Sequence, residues 1–141
     1  MKNMLKEKLA QGVKPLGTFV GTGSAAVVEC LGCAGLDFVI LDNEHSPIEA
    51  ETTAELVRAA ERRSITPLAR VREISRPAIL KLLDVGVQGL IIPDVHSAED
   101  VRRIVSYAKY APVGQRGFCP SRKDGWGTDM VCGGRYGALQ P

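Results

Sequence analysis

One pattern recurs four times along the chain: a short apolar run, a turn, then a stretch with helical spacing. The apolar runs are "LGTFVGTG" (16–23), "FVILD" (38–42), "TPLARVR" (66–72) and "GLIIPDV" (89–95). The helical stretches are "SAAVVECLGCAG" (24–35), "SPIEAETTAELVRAAERRS" (46–64), "SRPAILKLLDVG" (75–86) and "SAEDVRRIVSYAKY" (97–110). Ser24 and Ser97 can cap the first and last of these, their hydroxyls accepting from an unpaired amide of the first turn, and the middle two have proline near their start. Gly35 and Gly86 stand where a helix must end. Ile48, Leu56, Val57 and Ala60 share one face of the second stretch. "FVILD" is continuously apolar, as a parallel strand covered on both faces should be.

Four β–α units in a row imply an α/β fold with a parallel sheet and right-handed crossovers. Two architectures satisfy that pattern: an open doubly wound sheet, or part of a (βα)8 barrel. A whole barrel takes ~250 residues, and 141 residues supply about half of one. The β–α pattern fails after residue 110, where "APVGQRGFCPSRKDGWGTDMVCGGRYGALQP" is rich in glycine and proline and holds no convincing strand. The reading is one partial domain over residues 1–127 and an irregular tail over 128–141.

Hydrophobic residues make up 45% of the chain, which sets it apart from disordered sequences. No apolar stretch approaches the ~18 residues of a membrane span. The formal charge of +2 gives no reason to expect nucleic acid as a partner. The N-terminal "MKNMLKEKLAQG" has no apolar core of a signal peptide, so a cytoplasmic protein is expected. "CLGC" (30–33) has the spacing of a zinc or redox pair. Cys119 and Cys132 are spaced quite differently, so buried helix thiols are the expectation for Cys30 and Cys33.

Ligands of parallel α/β sheets sit at the carboxyl ends of the strands. The groups delivered there are Gly21–Gly23, then Asp42, Glu44 and His45, then Arg70 and Arg72, then Asp94 and His96. Such a set suits proton transfer beside a developing oxyanion. An imidazole, with an unperturbed pKa of ~6.5, can take a proton at neutral pH. A guanidinium stays cationic and can hold an enolate oxygen. Carboxylates can hold a divalent cation, directly or through its waters. His96, just before a helix cap, reads as structural. Asp84 falls late in the third helical stretch, which simple barrel geometry puts at the opposite rim.

Three segments, "LDFVILDNEHSP", "RPAILKLLDVGVQGLIIPDVHSAEDV" and "YAKYAPVGQRGF", together resemble the HpcH/HpaI aldolases, class II metal-dependent pyruvate aldolases. The resemblance runs from about Gly17 to Gly127 and implies the N-terminal half of a (βα)8 barrel. It implies His45 as catalytic base and Arg70 as the arginine that stabilises the pyruvate enolate. Asp84 would be the acid that raises the basicity of the histidine, against the geometric expectation above. Asp42 and Glu44 would lie near metal-bound water. The implied cofactor is a divalent cation (Mg, Mn or Co) that chelates the carboxylate and keto oxygen of pyruvate. The implied partners are a keto acid, an aldehyde and further copies of the chain.

Two departures stand out. Arg72 occupies a position where the family often has proline. The family's direct metal ligands, a Glu in a Q-x-E-T strand and an Asp in a G-x-x-D-L-S segment, have no match in these residues. The expectation is therefore the first half of a carbon–carbon lyase, inactive as it stands. The alternative is a non-catalytic half-barrel that serves only as a dimerising or binding module.

Overall fold

The computed structural model describes residues 3–128; the tail expected over 128–141 lies, apart from Thr128, outside them. Four parallel strands form one sheet in the order β1-β2-β3-β4: β1 Gly17–Val20, β2 Phe38–Asp42, β3 Thr66–Arg70 and β4 Leu90–Ile91. Helices follow each strand: α2 Ala25–Cys33, α3 Ala50–Arg62, α4 Arg76–Val85 and α5 Ala98–Ala108. Each helix packs on the next, α2 on α3, α3 on α4 and α4 on α5. A sequential strand order with successive helices side by side means every crossover passes over the same face. That is barrel winding, whereas a doubly wound sheet places helices on both faces. The architecture is half of a (βα)8 barrel. No helix among the described residues is long and apolar enough to cross a membrane.

The core lies between sheet and helices. Val39, Leu41, Ala69 and Val71 meet Val28, Leu56, Val57, Ala60 and Ile79, all fully buried. These strand positions alternate, so their neighbours Ile40, Asp42, Leu68 and Arg70 face the other way, toward what is the interior of a barrel. Phe19 stands on that inner face and is 52% exposed.

Serine caps operate at α2, α4 and α5. Ser24, Ser75 and Ser97 accept from the amides of Val27, Ala78 and Asp100, and Asp100 completes a capping box at α5. Gly86 ends α4 at φ 103°, a conformation costly for any residue with a Cβ.

Three expectations need correction. The second helix starts at Ala50, capped by Glu49 without a side-chain hydrogen bond, and not at Ser46. The Ser46 hydroxyl instead donates to the Asp42 carbonyl and accepts from Ile48, so it is spent inside the loop. The fourth strand is two residues long, because only Leu90 and Ile91 find partners, on β3, and Pro93 has no amide to donate. Cys30 and Cys33 are exposed, as is Cys119. An unforeseen helix, α1 Met4–Ala10, crosses the amino ends of the strands. Its Leu5 amide donates to Thr66 Oγ1, Asn3 donates to the Gln88 carbonyl, and Lys8 pairs with Asp37.

Residues 111–128 pack back along that same end. Ser121 donates to the Asp84 carbonyl, Arg122 pairs with Glu61, and a short 3-10 segment spans Arg122–Gly127.

Candidate active site

Asp42 and Arg70 are the last residues of adjacent parallel strands and are direct register partners. Both side chains alternate onto the inner face, so they meet. Arg70 Nε donates to Asp42 Oδ1 at 3.0 Å and Nη2 to Oδ2 at 2.7 Å, a two-point bridge. The Glu44 and His45 amides also donate to Asp42 Oδ1, at 3.0 and 3.2 Å, which folds the loop back over the strand end. Arg70, with these amides, holds the Asp42 carboxyl down to about 2. Asp42 in turn raises the Arg70 guanidinium.

Glu44 extends the network. Its Oε2 lies 3.1 Å from Arg70 Nε, and its Oε1 lies 3.7 Å from His45 Nε2. Arg70 also sits over the Phe19 ring, 5.1 Å from its centre. The guanidinium is thus held on three sides, while the His45 side chain is 71% exposed and open to a bound molecule. Sequence reasoning had no signal for Phe19, which is one more apolar residue of β1. It also passed over Asn43, buried at the helix side of the loop. The Asn43 amide donates to the Arg70 carbonyl at 3.0 Å, and Asn43 Oδ1 accepts from Thr53 at 3.0 Å. That double anchor fixes the loop to β3 and α3.

The structure brings Asp42, Glu44, His45 and Arg70 together. Asp84 is elsewhere. It lies near the end of α4, at the amino-terminal rim, 2.8 Å from Arg116 and 3.8 Å from Lys123. Simple barrel geometry anticipated this position, and among the described residues no contact joins Asp84 to His45. Arg72 pairs with Glu49 and lines a separate cavity of about 190 Å³ with Asn43, Ser75 and Lys81. None of Asp42, Glu44, His45 and Arg70 lines that cavity. Asp94 and His96 are exposed beyond β4; the His96 amide donates to Asp100 at the α5 cap.

A half-barrel with imidazole, carboxylates and a fixed guanidinium at its carboxyl rim has the layout of α/β barrel enzymes, whose sites lie at the strand ends. The family model of HpcH/HpaI aldolase/citrate lyase matches residues 16–132, and the chain belongs to that family. It is 33% identical over 129 residues to the 2-keto-3-deoxy-L-rhamnonate aldolase of Escherichia coli K12, covering 90% of this chain and 48% of the relative. It is 37% identical over 115 residues to the 2-dehydro-3,6-dideoxy-6-sulfogluconate aldolase of Pseudomonas putida, covering 82% and 44%. The crystal structure of an HpcH/HpaI aldolase from Desulfitobacterium hafniense superposes with a TM-score of 0.78 at 35% identity, over 84% of this chain and 46% of that one. The chain spans about half the length of the curated relatives it matches.

The family generally depends on a divalent metal. The donors at this rim do not fit that role as direct ligands. Both Asp42 oxygens are committed to Arg70, and one Glu44 oxygen is too. Among the described residues no group of three His, Cys, Asp or Glu side chains could hold a metal ion.

Proposed function

We propose that this chain carries the guanidinium and proton-transfer part of a pyruvate-aldolase site. The reaction is the reversible cleavage of 2-keto-3-deoxy or 4-hydroxy-2-keto acids to pyruvate and an aldehyde. One observation carries the reading: Asp42 and Glu44 aim Arg70 at the strand ends beside an exposed His45. Arg70 holds the negative charge that develops on the keto oxygen as the C3–C4 bond breaks. Asp42 fixes its plane through two hydrogen bonds, so little reorganisation accompanies charge development. His45 moves the proton: in cleavage it takes one from the C4 hydroxyl and gives one to the enolate carbon, and in the reverse direction it takes one from the pyruvate methyl and gives one to the aldehyde oxygen. Phe19, under the guanidinium, keeps water from one side of it. The resemblance also sets Asp42 and Glu44 beside metal-bound water. A cytoplasmic location and assembly of several copies belong to the same proposal.

Complementation tests it. The purified chain is mixed with the C-terminal half of the Escherichia coli relative, and pyruvate release from 2-keto-3-deoxy-L-rhamnonate is coupled to a dehydrogenase. Cleavage is expected from the mixture and should be lost in Arg70→Ala and His45→Ala. Loss of one transition-state charge partner costs roughly 10²–10³ in rate. Activity that survives both substitutions would reject the assignment. Two docked halves without activity would favour the non-catalytic module.

A further inference from the structure

We propose that Cys30 and Cys33 form a surface dithiol that chelates thiophilic centres needing only two sulfur ligands, trivalent organoarsenicals above all. Both thiols lie in the last turns of α2, both are exposed, and neither is in a disulfide. At 1.5 Å rise and ~100° per residue, positions three apart sit about 5 Å apart along one helix face. That face points to solvent. Val28 is fully buried, and the same wheel puts Cys30 and Cys33 each within roughly 40° of directly opposite it. Gly32, on the inward side, runs so close to α3 that a Cβ there would meet the Arg63 side chain at 2.5 Å. The pair is thus held on a packed helix with its sulfurs outward, at the amino-terminal end of the barrel and away from Arg70.

The donor set selects the ligand. A structural zinc ion takes four ligands, and no group of three ligating side chains exists among the described residues. Glu29, next to Cys30 in the chain, faces Arg63 at 3.8 Å. Two soft sulfurs suit a soft centre satisfied by two bonds. An arsenoxide supplies one: two As–S bonds form, the As=O bond breaks, and both thiol protons leave with that oxygen as water. Arsenic stays trivalent and no electrons transfer.

The test uses the full chain with Cys119→Ser and Cys132→Ser, treated with phenylarsine oxide and read by intact mass. One adduct per chain is expected, stable to excess monothiol and released by a dithiol. In Cys30→Ser or Cys33→Ser the second bond is lost, and retention should fall by about 10²-fold or more, the usual gain from an intramolecular second contact. Circular dichroism confirms that the variants stay folded. An adduct of equal stability in either single variant would overturn the proposal. So would the absence of any adduct on a chain whose two thiols both react with a thiol-titrating reagent.

Discussion

Replacing Asp42 with asparagine tests the bridge at the rim. The Asp42 carboxyl falls from an ordinary 3.8 to about 2, chiefly because Arg70 donates to it twice. That depression of somewhat under two pKa units corresponds to about 2 kcal/mol of native-state stability at neutral pH. Screening trims it little, since the Asp42 and Arg70 side chains are 12% and 23% exposed. The sign follows from the folded value lying below the unfolded one. The contribution is complete above about pH 5 and fades as pH falls through 4 toward 2. Asparagine keeps the shape but matches the protonated state, so the variant should be less stable by about 2 kcal/mol at pH 7, about 1 at pH 3, and a few tenths at pH 2. Urea unfolding of both proteins across that range, followed by circular dichroism, gives the difference curve. Asp100, also held down to about 2 by Ser97 and Arg103, titrates in both proteins and cancels. Equal stabilities at pH 7, or a deficit that persists undiminished at pH 2, would refute the bridge.

Three further outcomes follow from the packing. Leu56→Ala empties a fully buried site between α3 and the sheet and should cost ~2–5 kcal/mol in the same unfolding assay. Gly86→Ala places a Cβ at φ 103°, 2.9 Å from Arg122 Nη1, and should cost about 1 kcal/mol or more in the same assay. The outer edges of β1 and β4 have no strand beside them among the described residues, and Phe19 and Leu16 are exposed near one of them. Light scattering should therefore detect self-association at tens of micromolar, about where weak pairs form, and a compact monomer there would count against it.

Much of this was legible in the sequence, for physical reasons that differ from element to element. β2 reads clearly because a strand buried on both faces must be apolar throughout, and the serine caps at Ser24 and Ser97 operate where they stand. The rim was readable because strand direction alone sends Asp42, Glu44, His45 and Arg70 to one end. The two-point bridge was not, since it depends on Asp42 and Arg70 meeting in register across 28 residues of chain. Ser46 misled because a hydroxyl can serve either a helix amide or its own loop, and tertiary geometry chose the loop. α1 was missed because it has only seven residues, too few for Leu5 and Leu9, one turn apart, to stand out as a helical pattern. The thiols were placed inside because α2 is apolar almost all round, which leaves no polar face to mark the side turned to solvent.

The central claim is that the rim holds its guanidinium and imidazole ready while its carboxylates are already committed to Arg70. The most direct measurement is exchange of pyruvate methyl protons in D₂O, followed by proton NMR with Mg²⁺, Mn²⁺ or Co²⁺ added and with no aldehyde present. The pure chain should exchange no faster than buffer with the same metal. Rapid metal-dependent exchange, abolished in His45→Ala, would contradict the account, because Asp42 and Glu44 would then have to leave Arg70 and hold the ion themselves.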